Sequence, residues 1–157
     1  MRTEMRYGYS RTFPGVAYDE AVRDITDALK QEGFGVLTAI DVKETLKQKL
    51  GVEFKRYQIL GACNPRYAHQ ALTAMPEVGA LLPCSIAVWE EEGGRTAVNA
   101  VDPLQTIAAA EPALTPIATE VRAGVDQGWA RHRLPPARAT ATRGPGRARR
   151  GPRWRWG

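Results

Sequence analysis

The sequence predicts an α+β protein of two layers, a mainly antiparallel sheet covered by helices on one face. Three observations carry that prediction. Runs of aromatic and β-branched residues alternate with runs whose apolar residues recur every three or four positions. Gly or Pro punctuates nearly every boundary between them. Gly93-Gly94 joins two strand-like runs directly, which makes that pair an antiparallel hairpin. At 157 residues the chain has room for one ordinary domain and not for two full-sized ones.

Each element follows from its residues. Tyr7 to Phe13 is aromatic and β-branched, and Pro14-Gly15 closes it as a first strand. Tyr18, Ala21, Val22, Ile25, Ala28 and Leu29 then recur at helical spacing, with Asp19, Glu20 and Asp24 in the early turns where the helix dipole favours acids. Gly33 ends that helix, and Val36 to Ile40 is a second strand. Asp41 with Glu44 forms a capping box for a short helix through Val42, Leu46 and Leu50, stopped by Gly51. Lys43, Lys47 and Lys49 are its solvated side.

Tyr57 to Cys63 is the third strand. Asn64-Pro65 supplies an N-cap and a proline at the first helical position, opening a helix through Ala68, Ala71 and Leu72 that Pro76 stops. Leu81 to Glu90 reads as a fourth strand, with Leu82, Cys84, Ile86 and Val88 on one face and Ser85, Ala87 and Trp89 on the other. The hairpin loop Glu91 to Arg95 leads into Thr96 to Val101. Asp102-Pro103 caps a helical stretch to Ala110, and Ile117, Val121, Val125 and Trp129 stripe a final helix.

The net charge of +5 conceals two opposite regions. Residues 1–130 carry 13 Lys and Arg against 17 Asp and Glu, while residues 131–157 carry nine Arg, no Lys and no acid. The basic isoelectric point therefore belongs to the C-terminal segment and says nothing of the body's partners. In Pro135 to Gly157, 19 of 23 positions are Gly, Ala, Arg or Pro, with no aliphatic side chain larger than Ala to bury. The reading is a single α+β domain over 1–130 and a disordered Arg/Pro/Gly-rich tail over 131–157. Trp154 and Trp156 between the arginines give that tail a weak, nonspecific nucleic-acid contact as its one candidate role. No apolar run approaches the roughly 18 residues of a membrane span, and Met1 to Arg6 has no apolar stretch behind it. No membrane association is expected, and the two cysteines are expected reduced in the cytoplasm.

Those cysteines are the candidate site. Cys63 precedes a helix start, where backbone N–H groups and the dipole lower a thiol pKa. Cys63 is thus the candidate catalytic thiolate, Cys84 its candidate partner, and the pair is expected within about 10 Å. Set against this, free cysteines in strands commonly serve as small buried hydrophobes. No metal is expected, because zinc takes three or four ligands and only Cys63, Cys84, His69 and His132 are on offer. No cofactor is expected either: Gly93-Gly94 lacks the strand–Gly–helix context of a phosphate loop, and no Ser elbow or His-Glu-x-x-His pattern occurs. Asp41 and Asp102 are explained by their capping positions.

Gly33-Phe34-Gly35-Val36-Leu37-Thr38, Ile40-Asp41-Val42-Lys43 and Tyr57-Gln58-Ile59-Leu60-Gly61-Ala62-Cys63-Asn64-Pro65 form a long ordered set of motifs. With Ala68, Ala71, Leu72, Leu81-Leu82-Pro83-Cys84 and Ala100-Val101-Asp102-Pro103, they resemble the domain-of-unknown-function family numbered 302, from about Met5 to Trp129. The resemblance implies a fold like half of a TATA-binding protein with extra helices, and a homodimer; it implies no DNA binding and no assigned activity. Ser85 stands where an Asn is common in that family. A sheet covered on one face also leaves residues such as Tyr9, Ala87 and Trp89 to be buried by a second copy. Two functions are then open. One is a soluble dimeric binding or accessory protein with a small ligand-binding pocket near Cys63, Asn64 and Cys84; the other is a thiol-dependent enzyme or redox sensor using Cys63 and Cys84.

Overall fold

The computed structural model describes residues 7–131, in which five strands make one sheet. The strands β1 (Gly8–Phe13), β2 (Gly35–Asp41), β3 (Tyr57–Cys63), β4 (Cys84–Glu91) and β5 (Arg95–Val101) lie in the order β1-β5-β4-β3-β2. Every neighbouring pair is antiparallel. The α+β expectation holds. Of the tail expected over 131–157, Arg131 is the last residue of the final helix, and residues 132–157, including His132, Trp154 and Trp156, lie outside the described residues.

Five helices follow from the local chemistry: α1 (Tyr18–Gln31), α2 (Val42–Leu50), α3 (Pro65–Ala74), α4 (Ile107–Ala110) and α5 (Thr115–Arg131). In α1 the apolar stripe buries Tyr18, Ala21, Ile25, Ala28 and Leu29, and Gly33 leaves it with φ 81°. Asp41 caps α2 by accepting the N–H of Glu44 at 3.0 Å, and Gly51 takes the left-handed conformation that ends it. In the β4–β5 turn Gly93 and Gly94 both have positive φ, which is what the Gly-Gly pair supplies.

One boundary differs from the sequence reading. Leu81 does not begin a strand; Pro76–Leu81 is a 3-10 turn closed by Leu82 N–H on the Gly79 carbonyl, and β4 starts at Cys84. Pro83 has no N–H to give to a ladder, so pairing begins with the residue after it. Tyr9 pairs with Ala100 and shares a register position with the core set, not with Ala87 and Trp89 as the sequence suggested.

The register sorts the sheet into two faces. Leu60, Ala62, Ile86, Val88, Val98 and Ala100 lie on one, and α1 and α5 pack on it through Ile25, Leu29, Val121 and Val125. The two helices approach closely where Gly128 lies against the backbone of Ala28. A second, smaller cluster of Ala71, Val78, Ile107 and Leu114 sits beside the first, with Ile117 packed against both. On the other sheet face Tyr57 stacks on Trp89, centroids 5.7 Å apart, and Phe54 and Lys55 extend that patch.

Candidate functional site

The site begins with the end of a strand. Ala62 lies opposite Cys84 in the β3–β4 ladder, and one residue later β3 stops at Cys63. Asn64 turns the chain out of the sheet: its side-chain oxygen accepts the N–H of Arg66 at 3.1 Å, and Pro65 starts α3. The chain therefore leaves the sheet beside the point where Cys84 opens β4.

This arrangement brings Cys63, Asn64 and Cys84 to one cavity of about 30 Å³. Its buried walls are Phe34, Ala62, Ala71, Ile107, Ala118 and Val121, and the half-buried Tyr67, Ala68, Leu82 and Ile117 complete it. The walls come from both apolar clusters, so the cavity lies on the seam between them. Three helical alanines, Ala68, Ala71 and Ala118, leave the space that larger side chains would fill. Phe34 is held against the wall by α5, where a Cβ on Gly124 would meet its ring at 2.8 Å. The space holds about two water molecules.

The electrostatics run against the expected thiolate. Burial pushes the Cys63 thiol up from its ordinary value. Burial, with the Cys63 charge adding to it, pushes Cys84 up to about 11. The helix start does not reverse this, because Asn64 already occupies one of its free N–H groups and the walls are apolar. Both cysteines are free.

Potential partners lie elsewhere. His69 is exposed on α3 and is not part of the wall, and the Tyr67 hydroxyl donates to Glu120 at 3.5 Å. Asp102 is buried at 5% exposure, where it accepts the Leu104 N–H at 2.9 Å and pairs with Arg122, so its role is to hold the chain after β5. Among the described residues, no three His, Cys, Asp or Glu side chains gather as a metal site.

Sequence reasoning found the two thiols and Asn64 but not Phe34, Tyr67, Ile107, Ile117 or Val121. Ile117 and Val121 read as the stripe of the last helix, Phe34 entered only as part of a motif, and Tyr67 and Ile107 were not singled out; which residues border an opening depends on contacts across the whole chain. The only local signal was the run of helical alanines.

The model for the family described as Domain of unknown function DUF302 matches residues 9–129. The chain belongs to this DUF302 family. Its match covers every cavity residue, from Phe34 to Val121. An uncharacterized protein of Aquifex aeolicus (strain VF5) is 28% identical over 113 residues, 72% of this chain and 72% of that protein. The crystal structure of an uncharacterized conserved DUF302 protein from Bacillus stearothermophilus superposes with a TM-score of 0.72 at 32% identity, covering 81% of this chain and 98% of that one. The DUF302 fold of this protein is thus shared with a solved structure. Among the described residues, no helix is long and apolar enough to cross a membrane.

Proposed function

We propose that this DUF302 protein is a binding or accessory protein that takes a small ligand in the cavity at Cys63, Asn64 and Cys84. The observation that supports it is chemical. Two thiols line a small apolar cavity that has no base in its wall, and burial holds both of them protonated. A nucleophilic cysteine needs a lowered pKa or an adjacent base, and this pair has neither. The alternative, a thiol-dependent enzyme or redox sensor, draws its support from the presence of both thiols on one cavity.

Modification of the native protein by a small thiol reagent across pH separates the two. The binding reading expects Cys63 to react with a rate still rising above pH 9, and Cys84 to react more slowly. A Cys63 thiolate formed below about pH 7, with rapid peroxide-driven joining to Cys84, would establish the redox reading instead.

The protein is further proposed to act as a cytoplasmic homodimer. The support is the partly exposed aromatic patch of Phe54, Tyr57 and Trp89 on the sheet face away from α1 and α5, of which Phe54 is the most exposed. Light scattering at tens of micromolar should give a dimer; a monomer removes this part. The domain of 1–130 is proposed to stand without the basic segment of 131–157, whose role is weak attraction to nucleic acid. Truncation after Arg133 should keep the Tm within a few degrees and abolish any salt-sensitive retention on single-stranded DNA.

A further inference from the structure

We infer that the cavity is a slot for an unbranched hydrocarbon chain, entered between α3 and α5, with the polar end of the molecule left outside. This rests on the reading that the cavity takes a ligand, and it names the ligand's class.

Shape comes first. Asn64, Tyr67, Ala68 and Ala71 line the cavity at helical spacing, so its wall follows one side of α3 from the cap through two turns, a length of about 10 Å. On α5, Ala118 and Val121 line it from the other side. The enclosed space along that length holds only about two water molecules. A space that is long and holds so little is narrow. An extended methylene chain has that outline, and a ring does not. The slot is also open. Tyr67 and Ala68 on α3 and Ile117 on α5 are half-buried, so a chain longer than the enclosed part runs out to solvent between the two helices.

Polarity points the same way. The wall contains no Asp, Glu, Lys, Arg or His. The Asn64 side-chain oxygen is committed to the Arg66 N–H, and the Tyr67 hydroxyl turns outward to Glu120, which is not part of the wall. A charged or hydrogen-bonding ligand would give up water here and find no partner, whereas a hydrocarbon gains by leaving water. Cys84 serves as wall: it lies opposite Ala62 and packs against the larger apolar cluster. Leu82 and Ile107 come from the end of a 3-10 turn and from the four-residue α4, short segments that can give way as a chain enters.

The test titrates the full chain with 1-butanol, 1-hexanol, 1-octanol and cyclohexanol, followed by the methyl resonances of Ile107, Ile117 and Val121. The straight alcohols should shift these resonances saturably, and each added methylene should tighten binding about fourfold. Cyclohexanol, with the carbon count of 1-hexanol, should bind at least about tenfold more weakly, because a ring overpacks a narrow slot. Ala68→Leu fills the slot from its rim and should abolish binding of 1-octanol. Leu82→Phe does the same from the other cluster, and circular dichroism confirms that each variant is folded. Binding of 1-octanol that is unchanged in either folded variant overturns the inference, as does affinity that does not grow with chain length. If cyclohexanol moves the three resonances as readily as 1-hexanol, the cavity reading stands and the chain is the wrong class. If no alcohol moves them, both readings fall.

Discussion

The two apolar clusters are built by different means. The larger one is made by a five-stranded sheet and two long helices, and its residues interlock: Leu29, Val88 and Val98 are fully buried, and Leu60 and Ile86 are at 2% exposure. The smaller one is supplied by the end of α3, the four-residue α4, and 3-10 turns at Pro76–Leu81 and Pro112–Leu114. Short, proline-led segments cannot present a continuous ridge to a neighbouring helix or sheet, and alanines face the join. The cavity lies where the well-packed unit meets the loosely built one. Its position is therefore a consequence of how the secondary structure is distributed, and the two thiols sit on the margin of the rigid half.

The sharpest way to break this comparison is to remove the same side chain from each cluster. Leu60→Ala should cost about 3–5 kcal/mol, since the sheet cannot collapse onto the void. Leu114→Ala, at the same 2% exposure, should cost nearer 2 kcal/mol, because a 3-10 turn can shift to fill the gap. Urea denaturation measures both. Equal losses would mean that the smaller cluster is as stiff as the larger, and the seam would lose its explanation.

Alkaline pH acts on the seam itself. Cys84 is pushed from 9.0 to about 11 in the folded chain, so between those values the unfolded chain has already lost a proton that the folded chain retains. Stability contributed by this group is full below pH 9 and falls as pH rises to 11, by about 2–3 kcal/mol. Tyr18, raised from 10.0 to about 12 chiefly by burial, extends the decline above pH 10. In Cys84→Ser the loss between pH 9 and 11 should shrink to the Tyr18 part. An unchanged slope would show that Cys84 is not desolvated at the cavity.

Gly124→Ala tests how the wall is held. The added Cβ would meet the Phe34 ring at 2.8 Å, an overpacking cost of about 1–3 kcal/mol. Alanine's helix preference returns up to about 1 kcal/mol, leaving a net loss of roughly 1 kcal/mol. Native-state modification of Cys63 should change with it, because the displaced ring borders the same space. A stability loss with Cys63 reactivity unaltered would mean that Phe34 moves away from the cavity.

These cases show what the sequence could and could not convey. Caps and periodicity are local, so Asp41, Gly51, Asn64 and the stripe of α1 were legible from residue types alone. That Cys63 ends β3 and that Cys84 belongs to β4 was legible from the strand residues around them. The direction of their pKa was not, because it depends on walls contributed by Phe34, Ile107 and Val121, residues that meet only after folding. The start of β4 was misplaced for a simpler reason. Alternation of apolar residues through Leu82 and Cys84 outweighed the missing N–H of Pro83 in between.

The smallest effect separates a cap from a cap that also borders the cavity. Asp41→Ala and Asn64→Ala each remove one side-chain acceptor from a helix start, and each should cost about 1 kcal/mol. Helix α2 buries no residue fully, so Asp41→Ala should fray it and leave the thiols untouched. Asn64 stands between Cys63 and α3, and its loss frees the Arg66 N–H at the edge of the cavity. Asn64→Ala should therefore make Cys63 more acidic and faster to modify, while Asp41→Ala leaves its pH profile where it was. If the two variants match in both stability and Cys63 profile, Asn64 is a cap and nothing more, and the rim of the site is confined to its sulfurs and apolar walls.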